Sequence, residues 1–576
     1  MNILGLNFFH ADSSACLIVN GKIIAAIEEE RFDRIKHSDN FPINAIKFCL
    51  ENGNLSLADI DYISVNFNNK YNLKEKFFFT LKNLFSRNIY KKINAFFKKK
   101  KINNFFLKNF DFDLEVSKAK LVYVPHHLAH TISTTFAFNI KDGLAFSFDG
   151  SGDFSTTEVY KIKNGQYDLI EKIIYPHSLG IFYQAFTQFL GFPHYGDEYK
   201  MMGLAAYGEP VFADRVRKIL KKEKNFISLN LNFFKHHFDV FVSRNNKKIS
   251  DNLYSDLIEI VFGKPRKKNQ PIAKLHMDIA ASVQKVFEDV VLSKIKNLYE
   301  RYPLENLCLS GGCSFNSVLL GKIKKYSGFK NVYASCNVGD AGGALGAALF
   351  TCNKYDKIIE NDKNLLNPFL GFFSSNEYIG NRIVPLAKSS NCEHSLFQNE
   401  DKLLEFVTKE ICQGKVVGWY QGRSEWGPRA LGNRSILADP RNPNMRDIIN
   451  EKIKKREEFR PFAPSVLEEH ASTYFDMNGQ SPYMGFVFDA KQIAKDRIPS
   501  CVHVDGTSRV QTVNLEFNKR FYKLISNFYK KTDVPILLNT SLNVNEPICN
   551  SPEDAWRVFS ETSMDTLVLE DWVFFK

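Results

Sequence analysis

Two histidines four residues apart, His126 and His130 in VPHHLAH, have the types and spacing that most directly imply chemistry. On a helix they share one face, with β-carbons about 5–6 Å apart, which suits two ligands on one divalent ion. Two aspartates extend the set: Asp149 in AFSFDGSGD and Asp340 in NVGDAGGALGAAL. Both stand beside glycine-rich turns, where backbone N–H groups can approach phosphate. A metal and a nucleotide phosphate are therefore expected at one site. A lone HxxxH is more often a core histidine, and DGSGD alone makes a good simple turn. The metal reading rests on the four residues together.

Three glycine segments repeat one theme. Asp149, Gly150, Ser151, Gly152 and Asp153 follow an apolar strand, and glycines at a strand end admit phosphate while the carboxylate can hold a metal. Ser310, Gly311, Gly312 and Cys313 form a similar turn, with Asn316 one turn on. Gly339 and Asp340 precede a run of Ala and Gly, whose small side chains equally suit tight packing of a helix on a strand. A second kind of chemistry gathers later. GRSEWGPRALGNRSILADPRNPNMRDIINEKIKKREEFRPFAPS concentrates Arg429, Arg434, Lys454, Arg456 and Arg460 near Gly and Pro turns. Arg509 in HVDGTSRVQTV joins them, as do Asn539, Ser541 and Asn543 in PILLNTSLN. Arginines converging with amides and hydroxyls suit a phosphate ester or acyl phosphate. The competing reading, a solvated charged helix, applies best to EKIKKREEFR.

The elements that must position these groups are legible in outline. Residues 3–8 and 16–19 read as strands, with a turn at Gly21 into KIIAAIEEERF. DYISVNF (61–67) and LVYVP (121–125) read as further strands. GLAFSFDG (143–150) opens what looks like a second half, with a hairpin turning at Asn164–Gly165. The recurrence of a strand hairpin near residues 3 and 143 is an internal repeat, weak in residue identity. Apolar spacing predicts a helix over 275–300. Residues 351–400 turn polar and read as a connector. From 401 a helix, the strand KVVGWY, and late strands at 535–543 and 566–575 make a mixed α/β domain.

At 576 residues, 44% hydrophobic and 24% charged, the chain fits a globular protein of two to four domains. No apolar run reaches the ~18 residues of a membrane span, and the N-terminus lacks the basic start of a signal peptide. The ten cysteines are scattered with no CxxC pair, so free thiols and a cytoplasmic location are expected. The net charge of +12 is concentrated: Lys70–Lys108 holds twelve Lys/Arg and one acid, Glu75. Phe77, Leu81, Leu84, Phe85, Ile89, Ile93, Phe96 and Phe97 recur there at helical steps between lysines. That is a basic amphipathic pattern, suited to packing on the parent domain, to an anionic acceptor, or to a membrane surface.

The ordered set LGLNFFHADSSACL, EEERFDRIKH, VPHHLAH, DGSGD, EYKMMGLAAYG, LSGGCSFN, VGDAGGALGAAL, GRSEWGPRALGNRSILADPRNPN, REEFRPFAPS, VDGTSRVQTV and NTSLN resembles the O-carbamoyltransferases. That family includes the antibiotic-modifying tobramycin carbamoyltransferase and the nodulation-factor carbamoyltransferases. The resemblance runs from residue 2 to 576, with the insert at 70–110 unmatched. It implies an α/β chain of two domains: an actin-like ATPase (ASKHA) domain with duplicated halves over 1–350, and a YrdC-like α/β domain over 401–576. The implied reaction joins carbamoyl phosphate and ATP into carbamoyl adenylate, then transfers the carbamoyl group to a hydroxyl of a sugar, glycolipid or natural product.

By this resemblance, His126, His130, Asp149 and Asp340 match metal ligands, usually of Fe(II), with Mg an option alongside ATP. Lys454, Arg460, Arg509, Asn539 and Ser541 match the carbamoyl phosphate and ATP pocket, flanked by Arg429 and Arg456. Lys200 and Gly203 join Asp149, Gly150, Ser151, Gly152, Gly311, Gly312, Asn316, Gly339 and Asp340 as expected cofactor contacts. His10 and Asp12 fall where the acceptor approaches, either one a candidate general base. AAYG stands where APYG is usual, and SLN where SFN is usual; neither change removes a charged or coordinating group. The alternatives are a tRNA threonylcarbamoyl-type transferase, a hydrogenase-maturation protein and a non-catalytic relative that binds polyanion or membrane. Hydrogenase maturation calls for an acylphosphatase domain and CxxC fingers, which this sequence lacks. No nucleic-acid partner is expected, and the oligomeric state stays open, a homodimer included.

Overall fold

The hairpin turns show how local sequence sets the first sheet. In the computed structural model, which describes residues 1–82, 102–223, 226–238, 252–355 and 365–576, Asn20 and Gly21 both take positive φ (49° and 76°). This is the two-residue turn whose twist matches paired strands, and Asn-Gly is its preferred sequence. Asn164 and Gly165 repeat it with φ 49° and 71°. The chain divides into two compact units: Met1–Asp33 with His37–Leu366, and Arg34–Lys36 with Asn367–Lys576.

The first unit carries β1 (Asn2–Asn7), β2 (Ser14–Val19), β3 (Lys22–Glu28), β4 (Tyr62–Val65) and β5 (Lys120–Tyr123). β6 (Gly143–Gly152), β7 (Ser155–Lys163) and β8 (Gln166–Ile174) follow, then a two-stranded ribbon of β9 (Leu220–Glu223) and β10 (Phe226–Leu229), then β11 (Asn306–Ser310) and β12 (Asn331–Tyr333). The two five-stranded sheets have matching orders, β3-β2-β1-β4-β5 and β8-β7-β6-β11-β12. In each, the first three strands pair antiparallel and the last two add in parallel. This duplication is the arrangement expected of the actin-like halves. Ile3, Leu4 and Leu6 of β1 are all fully buried, as a central strand covered on both faces requires.

One helix on β1 carries the small-residue run. In Gly342–Tyr355, a Cβ at Gly346 would lie 1.8 Å from the Ala129 carbonyl oxygen of helix His126–Ala137. A Cβ at Gly5 of β1 would meet the Ala344 carbonyl oxygen at 2.1 Å. The glycines thus seat this helix against both the sheet and the histidine-bearing helix. The predicted helix over 275–300 spans Lys274–Arg301.

The second unit carries β13 (Glu393–Leu396), β14 (Val417–Tyr420), β15 (Arg434–Ala438), β16 (Ala463–Leu467), β17 (Val487–Asp489), β18 (Thr507–Arg509), β19 (Gln511–Val513), β20 (Ile536–Ser541), β21 (Thr566–Leu569) and β22 (Trp572–Phe575). Eight of them form one mixed sheet, ordered β13-β22-β21-β14-β15-β20-β16-β19, and β17 pairs with β18. Residues 376–396, expected as part of a connector, instead form helices Asn376–Arg382 and Val384–Ser389 and the edge strand β13 on β22. Their polar composition reflects an edge position rather than a linker. The run TLVLEDWVFF folds as the β21–β22 hairpin, turning at Glu570 with φ 51°.

Of the basic insert, helices Leu73–Lys82 and Ile102–Phe110 are described. The expected amphipathic stretch from Leu84 to Phe97 lies outside the described residues. The helix Leu73–Lys82 is tied to β8 by Lys172, whose Nζ meets Glu75 at 2.9 Å, and it leaves Phe77 and Phe78 exposed. Among the described residues, no helix is long and apolar enough to cross a membrane. The cysteines are free thiols.

Candidate metal centre and cationic pocket

Helix His126–Ala137 begins at the first of the two histidines, directly after Pro125, and buries both imidazoles. Its N-terminus is held by Asp153, whose Oδ2 accepts the His126 N–H at 2.9 Å and the Asn68 N–H at 2.8 Å. A carboxylate there satisfies an orphan donor and complements the helix dipole. Asp149 lies on β6, where its Oδ2 accepts the Gly312 N–H at 2.8 Å from the turn after β11. Asp340 enters the helix Gly342–Tyr355, its carbonyl accepting the Gly343 N–H. The topology thus delivers one carboxylate from each of two strand-to-helix or strand-to-turn corners onto the histidine pair.

The four side chains offer ligand atoms that all lie within 4.8 Å of one another. His126 Nε2 and His130 Nε2 are 3.0 Å apart. Asp340 Oδ1 is 3.5 and 3.4 Å from them, and Asp149 Oδ2 3.9 and 3.4 Å. Ligands bound at 2.0–2.2 Å to one ion stand roughly 3.0–3.6 Å apart at octahedral to tetrahedral angles, so the spacing fits a cation at the centre. Among the described residues, Asp340 Oδ1 has no hydrogen-bond partner although it is buried. Two imidazole nitrogens and two carboxylates are a donor set suited to a divalent transition ion.

The charges point the same way. Burial and the neighbouring His130 push His126 down to about 3, keeping it in the neutral form a metal needs. Burial works against charge at His130 too, but the adjacent Asp340 and Asp149 carboxylates raise it overall. Burial and the Asp149 charge push the Asp340 carboxyl up. Asp149 is lowered: burial opposes ionisation, and the adjacent His126 and His130 rings together with the Gly312 N–H outweigh it. Two carboxylates this close repel each other unless a cation lies between them.

The remaining residues expected in the first unit divide by position. The Gly152 Cα sits against the His126 ring: a Cβ there would lie 2.0 Å from His126 Cδ2. Gly150 faces the start of helix Leu179–Phe189, since a Cβ at Gly180 would meet the Gly150 N at 2.6 Å. Ser151 is exposed at the same corner. Gly311 takes φ +85° and passes against the Phe148 carbonyl, leaving the Gly312 N–H to Asp149. Gly339 packs on the Phe315 ring. Asn316 caps helix Ser317–Tyr326 by accepting the Leu319 N–H. Lys200 pairs with Asp197 at 2.8 Å, and Gly203 is buried inside helix Glu198–Ala205. Asn316 thus serves as a helix cap and Lys200 as an ion-pair partner, whatever else they contact. His10 adjoins the cluster, its ring tilted 39° at 4.9 Å from that of His126, and Asp12 pairs with His37.

In the second unit, Lys454 is buried, and its Nζ donates to the Ser541 carbonyl and, at 2.7 Å, to Asn543 Oδ1. Burial and the charges of Arg456 and Arg460 hold its ammonium well below the usual lysine range. Arg509 behaves alike: burial, then Arg429, Arg456 and Arg460, depress its guanidinium. Lys454 and Arg509 are thus each destabilised by neighbouring cations, and an anion bound among them would relieve that repulsion. Arg456 Nε donates to Asn450 Oδ1 at 2.7 Å, and Arg460 meets Glu457 at 3.4 Å. Asn539 donates to the Ala430 carbonyl, Ser465 Oγ and Gln511 Oε1. Arg434, counted in the sequence with these arginines, does other work. It is fully buried, stacks 3.4 Å from the Tyr420 ring centroid, and donates to the carbonyls of Gln421, Asn433, Phe372 and Gly422. Asp153 had no assigned role in the sequence beyond its place in DGSGD, and Asp12 was read there as a candidate base without its partner His37, for which the sequence gave no signal.

Two family descriptions match this chain: "Carbamoyltransferase N-terminus" over residues 2–349 and "Carbamoyltransferase C-terminus" over 408–576. An uncharacterized protein of Synechocystis, sll1178, is 37% identical across 100% of this chain and 97% of its own length. Nodulation protein NolNO of Sinorhizobium fredii is 33% identical over 99% of this chain and 80% of its own. Nodulation protein NolO of Bradyrhizobium diazoefficiens is 36% identical over 77% of each. Among solved structures, the activator of 2-hydroxyisocaproyl-CoA dehydratase from Clostridium difficile overlaps 62% of this chain and 95% of its own, with 13% identity and a TM-score of 0.32. So distant an overlap leaves the matching sheet orders as the basis for the fold.

Proposed function

The chain belongs to the carbamoyltransferase family, and from that premise we propose that it is an ATP-dependent O-carbamoyltransferase acting in two steps. In the second unit, which we read as YrdC-like, carbamoyl phosphate and ATP give carbamoyl adenylate and pyrophosphate. In the first, the carbamoyl group passes to a hydroxyl of a small acceptor, a sugar, glycolipid or natural product, and AMP leaves. The observation that carries this reading is that buried Lys454 and buried Arg509 both stand against the cations Arg456 and Arg460, Arg509 against Arg429 as well, a repulsion that a multiply charged phosphate would relieve.

The residue types fit the chemistry. Arg509 and Arg460 bind and orient the phosphates and neutralise charge as the mixed anhydride forms. Lys454, through Ser541 and Asn543, fixes the strand end beside them. His126, His130, Asp149 and Asp340 would hold a divalent ion, Fe(II) by family resemblance. When bound, that ion supplies a Lewis acid for the adenylate phosphate. Asp149 also keeps the Gly312 turn in place, and buried His126 stays neutral. The basic element at 70–108 would draw an anionic acceptor or contact a membrane surface.

Labelled carbamoyl phosphate, ATP and a panel of sugar and natural-product alcohols test the reading. Label in an acid-stable ester of one alcohol, dependent on ATP and divalent metal, is the expected result. Label transferred without ATP, or to tRNA alone, would count against it.

A further inference from the structure

Two short loops of the first unit close on each other beside the metal cluster. Asn7 Nδ2 donates to the carbonyls of Ala11 at 2.9 Å and Asp12 at 2.8 Å, folding the chain after β1 into a tight bend. The Ser13 N–H donates to the Ser38 carbonyl at 2.8 Å, joining that bend to the segment around His37. Asp12 and His37 both take left-handed backbone, with φ 58° and 55°. Non-glycine residues held there mark a site where surrounding contacts impose the geometry. Across the joined loops, His37 Nδ1 meets Asp12 Oδ1 at 2.7 Å.

The imidazole is fixed from its other sides. Glu30 Oε2 accepts the His37 backbone N–H at 2.8 Å. The Tyr195 ring stands edge-on, its centroid 5.3 Å away. Gly196, at φ +83°, passes so close that a Cβ would fall 1.9 Å from His37 Nε2. Only a glycine leaves room for the ring in this position. The pair is partly open, with side-chain exposures of 28% for His37 and 20% for Asp12. It adjoins the cluster: the ring of His10, two residues before Asp12, lies 4.9 Å from that of His126, and the Asp12 charge is among those acting on Asp340.

We infer that His37 is a positioning residue for Asp12, and that Asp12 is the base that takes the acceptor proton. This rests on the carbamoyl-transfer reading above. The His37 Nδ1–H occupies Asp12 Oδ1 and sets the carboxylate plane, leaving Oδ2 to accept. As the acceptor oxygen bonds to the carbamoyl carbon, its proton passes to Asp12 Oδ2. The bond from that carbon to the adenylate phosphate oxygen breaks, and AMP leaves with the electron pair. His37 touches neither reacting atom; it acts through the carboxylate, as the third member of a catalytic triad orients the second, with the roles of acid and imidazole exchanged.

The test follows AMP release from ATP and carbamoyl phosphate, with glycerol as the hydroxyl probe, beside carbamoyl-phosphate-dependent pyrophosphate exchange. His37→Ala should lower kcat for AMP release roughly 100-fold, the low end of general base catalysis, with KM for glycerol little changed. His37→Asn, which tolerates left-handed backbone and places an amide N–H near Nδ1, should recover at least about a tenth of the rate. Asp12→Asn should lose as much as His37→Ala, and the double variant no more than Asp12→Asn alone, as expected for groups acting as one unit. Exchange should persist throughout. AMP release by His37→Ala at the wild-type rate, no rescue by Asn, or losses that multiply would overturn the inference while exchange still supports the parent reading. Absence of exchange in the wild type would overturn both.

Discussion

Replacing Gly152 by alanine should disrupt the candidate metal centre without substituting any of its four ligands. The new Cβ would stand 2.0 Å from His126 Cδ2, 2.1 Å from Cγ and 2.6 Å from Nε2. Carbon atoms in contact settle at about 3.5–4.0 Å, so the ring must retreat by roughly 1.5 Å or the strand must yield. Either shift carries Nε2 from bonding distance of a shared ion to well outside it. Changes that merely disturb a ligand's outer partners cost about 10–100-fold in metal affinity, so displacing a ligand should cost at least roughly 100-fold, or about 2.7 kcal/mol. Overpacking should lower fold stability by about 1–3 kcal/mol. The assay is a Co(II) titration followed by visible absorption and calorimetry, on protein shown to be folded. A folded Gly152→Ala protein with wild-type affinity and spectrum would refute the placement of the ion among these four residues.

Three further outcomes are expected. His126→Ala or Asp340→Ala should abolish transfer to the acceptor while carbamoyl-adenylate formation survives; equal loss of both half-reactions in a folded variant would contradict that division. Arg509→Ala, or Arg460→Ala, should remove carbamoyl-phosphate-dependent pyrophosphate exchange, each costing about 2–4 kcal/mol of transition-state stabilisation, read from the exchange rate against wild type. Reversing Lys82, Lys91, Lys92 and Lys98 to glutamate should raise the acceptor KM and leave adenylate formation unchanged. That effect should shrink as salt rises, because exposed charges are screened over ~8–10 Å near physiological ionic strength; an unchanged KM at low salt would leave packing as the role of the insert.

Much of the fold was legible because local signals and tertiary demands agree. Asn20–Gly21 and Asn164–Gly165 announce hairpins in sequence and make them in space, and these two turns carry the duplication. His126 and His130 share a helix face because the four-residue spacing leaves little choice, and the glycine corners at Asp149 and Asp340 put their carboxylates beside that face. What escaped was whatever depended on burial or on a distant partner. Arg434 looks like its phosphate-seeking neighbours in sequence, yet the main-chain carbonyls of Phe372, Gln421, Gly422 and Asn433 converge on it. Asp153 became visible as the helix anchor only when the β6–β7 corner met residues 68 and 126. The Asp12–His37 pair spans 25 residues and exists only because two loops hydrogen-bond across.

The central claim, that the second unit activates carbamoyl phosphate with ATP, is tested most directly by isotope exchange. Purified protein is incubated with ATP, labelled pyrophosphate and magnesium, with and without carbamoyl phosphate, and label entering ATP is counted. Exchange that appears only with carbamoyl phosphate, and disappears in Arg509→Ala, is the predicted result. Exchange without carbamoyl phosphate, or none in its presence from a protein that binds both substrates, would contradict the account.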